Sequence, residues 1–312
     1  MILFSGFAIS SNSANKVFPS PCCQVNAMSF LQLAIIALIQ GVTEWLPISS
    51  SGHVLLAADH FALAGRDELL INAVSNLGTL AAMLIYFRRD VAAATLGGFE
   101  LAASPFTRRP LSWGGQLALC IIVATPLALI AGVAYETAFP ASVQDALRSV
   151  WTVGIATIVF GLLLWWADVK GARTRKETDM TLRHAALIGA TQAIAALIPG
   201  TSRSGITMTT ARALGYERTE AARFSMLIGA PILAAAGLYG ALGLLGTDPS
   251  AGDIVTLEDG LIVAAIAFVS GIASIAALMA LLKRMSFLPF VIYRLVLGAV
   301  LLVGAPVLGL GL

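Results

Sequence analysis

The sequence predicts an all-α polytopic membrane protein with an inverted-topology repeat, each half a re-entrant helical hairpin plus about three transmembrane helices. Three observations carry that prediction. First, the 312 residues are 58% hydrophobic and only 12% charged, against roughly 45–50% and about 25% in soluble globular domains, and mean hydropathy is +0.88. Second, stretches without a charged side chain run over Leu69–Phe87, Leu111–Tyr135, Ser149–Ala167, Phe224–Thr247, Gly260–Leu282 and Leu295–Leu312. Each is near the roughly 20 residues that cross a bilayer as helix. Third, the bases are clustered: Arg88, Arg89, Arg108 and Arg109; Lys170, Arg173, Arg175, Lys176 and Arg183; Arg212, Arg218 and Arg223; Lys283 and Arg284.

Under the positive-inside rule those clusters are cytoplasmic. The acidic segment Asp248–Asp259 and the segment Glu136–Arg148 are then external. Threading the apolar runs through these assignments gives three spans after about Leu69 and three more after about Arg223. Ala185–Arg223 must begin and end in the cytoplasm, and Ser29–Glu68 must begin and end outside, so each forms a hairpin. Arms of roughly 10–17 residues reach the bilayer middle and turn back there.

An internal similarity supports the duplication. Gln40–Ser50 reads QGVTEWLPISS and Gln192–Ser202 reads QAIAALIPGTS, each with Gln, Pro seven residues later, then two hydroxyl residues. An odd number of spans per half turns the second copy upside down, so the tips meet from opposite sides near the midplane. The membrane domain is expected to occupy 28–312, with halves of about 28–166 and 184–312 joined by the basic loop 167–183. The polar segment 1–27, with its Ser and Asn and no basic n-region, is expected to be a disordered tail or a stretch ahead of a true start at Met28.

The chemistry concentrates in the two tips. Gln40 and Glu44 are four residues apart and project from one face of a helix ending at Pro47. A carboxylate at membrane depth is costly and marks a functional candidate; the plainer reading pairs Glu44 with a buried Arg. Ser49, Ser50, Ser51, Gly52 and His53 follow at once. His53 has the chemistry of a nucleophile or general acid/base, and Ser50 is the competing nucleophile, with His53 then activating it. Glu44 and Gln40 supply hard oxygens suited to a divalent cation, Mg²⁺ or Ca²⁺. In the second tip, Gly200, Thr201, Ser202, Arg203, Ser204, Gly205 and Thr207 have the donors and backbone freedom of a phosphate cradle. The plainer reading makes these hydroxyls packing residues and Glu44 the partner of Arg203. Arg294, in FVIYRLVLG, is counted among the substrate-binding candidates, with snorkelling to the cytoplasmic surface as its plainer role.

Other classes fall away. A net charge of +2 gives no general basic surface for nucleic acid, and no nucleic-acid motif is present. Cys22, Cys23 and Cys120 have no metal-ligand or redox spacing. Walker, Rossmann and haem motifs are absent.

QGVTEWLPISSSGH at Gln40–His53, PGTSRSGIT at Pro199–Thr207 and the late FVIYR at Phe290–Arg294 resemble the undecaprenyl-diphosphate phosphatase family, also called the bacitracin resistance proteins. The resemblance covers nearly the whole chain from Met28. It implies hydrolysis of the C55 isoprenoid diphosphate to its monophosphate and phosphate, which recycles the lipid carrier for peptidoglycan synthesis. It also implies a multi-pass protein of the bacterial inner membrane, a site open toward the periplasm, and a homodimer. The catalytic residues carried over are Glu44, Ser50, His53 and Arg203, with Ser202, Ser204 and Thr207 on the substrate. The family's first motif is an acid or Gln, three residues, then an acid; Gln40 here leaves Glu44 as the one carboxylate of that pair. The rival class is a transporter or flippase for an anionic lipid or small anion, since inverted repeats with broken midplane helices suit secondary transporters. The Ser-Ser-Ser-Gly-His run separates the two, because a carrier needs no nucleophile beside its anion site.

Overall fold

Helices form wherever the apolar runs lie, and they end where capping residues or prolines interrupt them. The computed structural model describes residues 30–50, 52–53, 66–107, 110–244 and 256–308. The segment 1–27, Ser51 and most of the first hairpin's second arm lie outside the described residues, as does most of Asp248–Asp259. In chain order the helices are α1 (Phe30–Thr43), α2 (Arg66–Tyr86), α3 (Arg88–Thr107), α4 (Trp113–Ala124), α5 (Pro126–Ala138) and α6 (Ala141–Arg148). After these come α7 (Val150–Lys170), α8 (Leu182–Leu197), α9 (Arg203–Ala213), α10 (Arg218–Leu244), α11 (Leu257–Leu282) and α12 (Leu288–Leu308). A 3₁₀ turn at Glu177–Asp179 precedes α8. No strand occurs among the described residues.

Among the described residues, four segments are long and apolar enough to cross a membrane: Trp113–Ala138, Val150–Lys170, Arg218–Leu244 and Leu257–Leu282. α2 and α3 pass the same test only as a pair, bent by 91° at the break between them. The chain is therefore an all-α, multi-pass membrane protein. Ser112 caps α4, Ser149 caps α7, and Thr256 with Asp259 forms a capping box on α11, each satisfying N–H groups that the first turn leaves free. Pro126 opens α5 and splits Trp113–Ala138, because proline fits a first turn but not an interior. The apolar run from Leu111 is thus two helices in series. α3, which counting apolar runs leaves without an element, packs against α4.

α2 packs on α10, α7 on α12, α1 on α11, and α8 on α4 and α5. Exchanging the two halves turns the α1–α11 contact into the contact of α8 with α4 and α5, and maps the other two pairs onto themselves. The contact between α2 and α11 has only a slight counterpart between α10 and α4, where α3 lies against α4 instead. The principal core gathers Trp45, Met83, Ile188, Phe224, Ile275 and Phe287 around the two tips. Outward-facing Val269, Leu261 and Ile130 stay exposed, as lipid contact allows.

The bases after the second hairpin are paired, and do more than label a side of the membrane. Buried Asp168 accepts from Arg212 Nε at 3.0 Å, Arg218 Nε at 2.8 Å, and the Phe287 N–H at 3.1 Å. One carboxylate thereby ties α7, α9, α10 and the start of α12. Arg223 bridges Asp90 to Glu177, the latter at 2.8 Å. Burial pushes the Glu177 carboxyl up to about 7; the Arg223 guanidinium pulls it down, and Asp90 and Glu220 add repulsion.

The fold thus prefers protonated Glu177. Its contribution to stability is fully present below its ordinary value of 4.5 and is lost as pH rises through about 7. The melting temperature in detergent should fall across that window, and Glu177→Gln should flatten the fall. Identical pH slopes in wild type and variant would contradict this assignment.

Candidate active site

Both tips are helices interrupted at a proline-containing turn. α1 stops at Thr43, four residues before the expected stop at Pro47, so Glu44 sits in the turn, where its N–H still bonds the Gln40 carbonyl at 3.0 Å. The Gln40 amide Nε2 donates to Glu44 Oε2 and to Asn76 Oδ1, both at 3.1 Å. In the second tip α8 ends at Leu197, and Ile198 turns extended as a residue before proline prefers. Gly200 has φ +90°, and a Cβ there would lie 2.5 Å from the Val153 carbonyl oxygen, so no side chain fits. Ser202 caps α9 by accepting from the Gly205 N–H at 3.1 Å. Among the described residues, the non-glycine positions with positive φ are Ser49 and Ser202, one in each tip. Such strain persists where surrounding structure imposes it and clusters at functional sites.

The tips meet through charge. Arg203 Nη2 donates to Glu44 Oε1 at 2.9 Å, with the two side chains only 14% and 10% exposed. The guanidinium also lies over the Trp45 ring, 5.2 Å from its centroid, and the Trp45 indole is held by the Thr79 carbonyl at 3.3 Å. Gly229 on α10 makes room for it, since a Cβ there would fall 1.8 Å from Arg203 Nη1. The Ser204 hydroxyl donates across the junction to the Leu46 carbonyl at 3.0 Å.

Arg294 overturns the snorkelling expectation. Its side chain is fully buried and donates to the carbonyls of Thr157, Gly200 and Thr201 at 3.0 Å each, and of Pro47 at 3.4 Å. Broken helices leave carbonyls without donors, and in the buried core bulk water cannot serve them. The guanidinium supplies those donors from behind both tips, so in this structure it braces the site.

The remaining candidates divide into two groups. The Thr207 hydroxyl donates to the Arg203 carbonyl at 2.9 Å and meets Ser225 at 2.6 Å; with Ser202 and Ser204 it is engaged within the protein. By contrast Ser49 Oγ, Thr201 Oγ1, Gln40 Oε1, Thr43 Oγ1 and Arg203 Nη1 are buried without a partner. Buried polar atoms are nearly always satisfied by protein, water or a ligand, so this concentration leaves the two tips able to take polar guests. Half-buried Ser50 and, three residues on, His53 both have helical backbone. His53 Nδ1 is 2.8 Å from the Ser49 carbonyl oxygen, and Nε2 is 2.5 Å from the Tyr293 hydroxyl. Ser51 lies outside the described residues.

For a divalent cation the tip offers one carboxylate, Glu44, the unpartnered Gln40 Oε1 and the nearby Asn76 Oδ1. No cluster of three His, Cys, Asp or Glu side chains able to hold a metal occurs among the described residues. Hard oxygens of this kind fit Mg²⁺ or Ca²⁺ when water and phosphate oxygens complete the shell. Sequence reasoning missed Trp45, Asn76, Gly229 and Tyr293; only Asn76, a polar side chain inside an apolar run, carried a visible signal.

The family model for bacitracin resistance protein BacA matches residues 33–300. An undecaprenyl-diphosphatase of Hyphomonas neptunium is 68% identical over 280 residues, covering 90% of this chain and 98% of that relative. Undecaprenyl-diphosphatases of Ruegeria pomeroyi and Maricaulis maris are 46% and 45% identical; each alignment covers 88% of this chain, with 98% and 99% of the relative.

Replacing Arg294 by Met should leave buried carbonyls of both tips without donors and lower stability by about 3 kcal/mol. Thermal melting in detergent measures this, and an unchanged midpoint would contradict the bracing role.

Proposed function

The chain belongs to the bacitracin resistance protein BacA family, and from that premise we propose that it hydrolyses undecaprenyl diphosphate to undecaprenyl phosphate and inorganic phosphate. The observation that carries this reading is Arg203. One guanidinium nitrogen is fixed by Glu44, while Nη1, buried and without a partner, is free for an anion. Unpartnered hydroxyls of Ser49 and Thr201 belong to the same two tips. These donors suit the oxygens of a terminal phosphate and the charge that develops on them.

In this reading the diphosphate lies between the tips and the prenyl chain stays in the lipid. Ser50 or His53 attacks the terminal phosphorus, forming a bond to it as the bridging P–O bond to the lipid monophosphate breaks; water then hydrolyses the phosphorylated side chain, releasing inorganic phosphate and restoring the free residue. Both His53 nitrogens have partners in this structure, so Nε2 must leave Tyr293 before it can take the Ser50 proton or act as nucleophile. Arg203 stabilises the equatorial oxygens throughout. Gln40 and Glu44 would hold a divalent cation, which supplies charge neutralisation at the phosphate oxygens when bound.

The same proposal places the protein in the bacterial inner membrane with its site open to the periplasm, and includes a homodimer and an inverted relation between halves. The product returns to the carrier pool for peptidoglycan synthesis, supporting cell-wall biogenesis, cell shape and bacitracin resistance. The exchange of contacts between the halves also suits a transporter or flippase, and hydrolysis separates that reading from an enzyme.

Phosphate release from undecaprenyl diphosphate in detergent should require a divalent cation and should fall by about a hundredfold or more in Arg203→Ala. Folded wild type that releases no phosphate with metal supplied would turn the reading to transport. Gly229→Ala should lower release at least tenfold with little change in melting temperature, since the atoms it displaces are the flexible end of Arg203. Full activity in that variant would show that the Arg203 position seen here does not matter.

A further inference from the structure

We propose that Tyr293 is a positioning residue for His53, holding its imidazole so that Nε2 is the reactive nitrogen. The neighbouring residue, Arg294, braces the tips, but Tyr293 contacts the chemistry-bearing side chain itself. Its hydroxyl is 2.5 Å from His53 Nε2, and the two rings lie nearly parallel, 4° apart with centroids separated by 5.5 Å. On its other side the ring presents Nδ1 to the Ser49 carbonyl at 2.8 Å.

A carbonyl oxygen only accepts, so Nδ1 carries its hydrogen whether the ring is neutral or charged. Neutral His53 is then the Nδ1–H form, with the lone pair on Nε2 and the Tyr293 hydroxyl donating to it. When Nε2 gains a proton the roles reverse, and Nε2–H donates to the Tyr293 oxygen. Tyrosine can fill both roles, so it orients the ring at rest, releases Nε2 for the transfer, and accepts from Nε2–H once the proton has moved. The left-handed backbone of Ser49, φ 71°, belongs to the turn that aims the accepting carbonyl. Two residues from different parts of the chain therefore fix both ends of one imidazole, as orientation of a base or nucleophile requires.

The inference rests on the phosphatase reading for its kinetic consequence, but not for its spectroscopic one. The chain has three histidines, His53, His60 and His184, so histidine-selective ¹⁵N labelling gives an assignable spectrum in detergent, with His53→Ala identifying the resonance. Wild type should show His53 as the Nδ1–H tautomer, and Tyr293→Phe should shift its Nε2 resonance while the fold stays intact. An Nε2–H tautomer, or an unmoved Nε2 signal in Tyr293→Phe, would overturn the proposal whatever the activity. In steady-state assays Tyr293→Phe should lower kcat by about two- to tenfold, the worth of one hydrogen bond, and leave KM nearly unchanged. In a His53→Ala background with measurable residual turnover the same substitution should have no further effect. An equal loss in both backgrounds would mean that Tyr293 acts on structure and not through His53.

Discussion

Arg294 answers the hardest constraint in this molecule, the backbone of helices broken inside its buried core. A continuous helix satisfies its own carbonyls, but a tip that turns at Pro47 or Pro199 cannot. The four carbonyls that Arg294 binds come from both tips and from α7. The cation is far from bulk water and keeps a full set of acceptors, the condition under which a buried charge is tolerated. With both turns braced from behind, the Glu44–Arg203 pair can form across their front. The site depends on this division of labour between two arginines, one spent entirely on carbonyls and one left with a free nitrogen.

That free nitrogen is part of a wider deficit. The packed hydroxyls of Ser204 and Thr207 give the second tip its rigidity, while Ser49, Thr201, Gln40 and Arg203 keep unmet polar atoms. Leaving such atoms unsatisfied lowers stability, so they are expected where a ligand completes them. Preorganised donors of this kind are the main source of transition-state stabilisation in phosphoryl transfer. Gln40 is a neutral amide, so Glu44 is the one carboxylate of the first tip's Gln40–Glu44 pair.

Much of this was legible from residue spacing and charge alone. An isolated acid and an isolated base at membrane depth must find each other, which is why the Glu44–Arg203 contact follows from the sequence; the i, i+4 spacing likewise joins Gln40 to Glu44. The role of Arg294 was hidden because it follows the basic pair Lys283 and Arg284 closely enough to look interfacial. Its direction into the protein depends on the rotation of α12 against α7, a tertiary property. Gly229 and Asn76 belong to α10 and α2, distant in sequence from the motifs they serve. The hydroxyl run marked the right place but could not distinguish Ser204 and Thr207, whose hydroxyls bind protein, from Ser49 and Thr201, whose hydroxyls do not. The bend after Phe87 has no proline at the break, so α3 had no local signal.

The central claim is that the two tips form one anion site whose open donor is Arg203 Nη1. A high-resolution structure with a non-hydrolysable, methylene-bridged prenyl diphosphonate tests it most directly. The terminal phosphonate should lie between the tips, within hydrogen-bonding distance of Arg203 Nη1 and the hydroxyls of Ser49 and Thr201, with Arg294 still on its carbonyls. A diphosphonate bound elsewhere, with Nη1 still unpartnered, would contradict it.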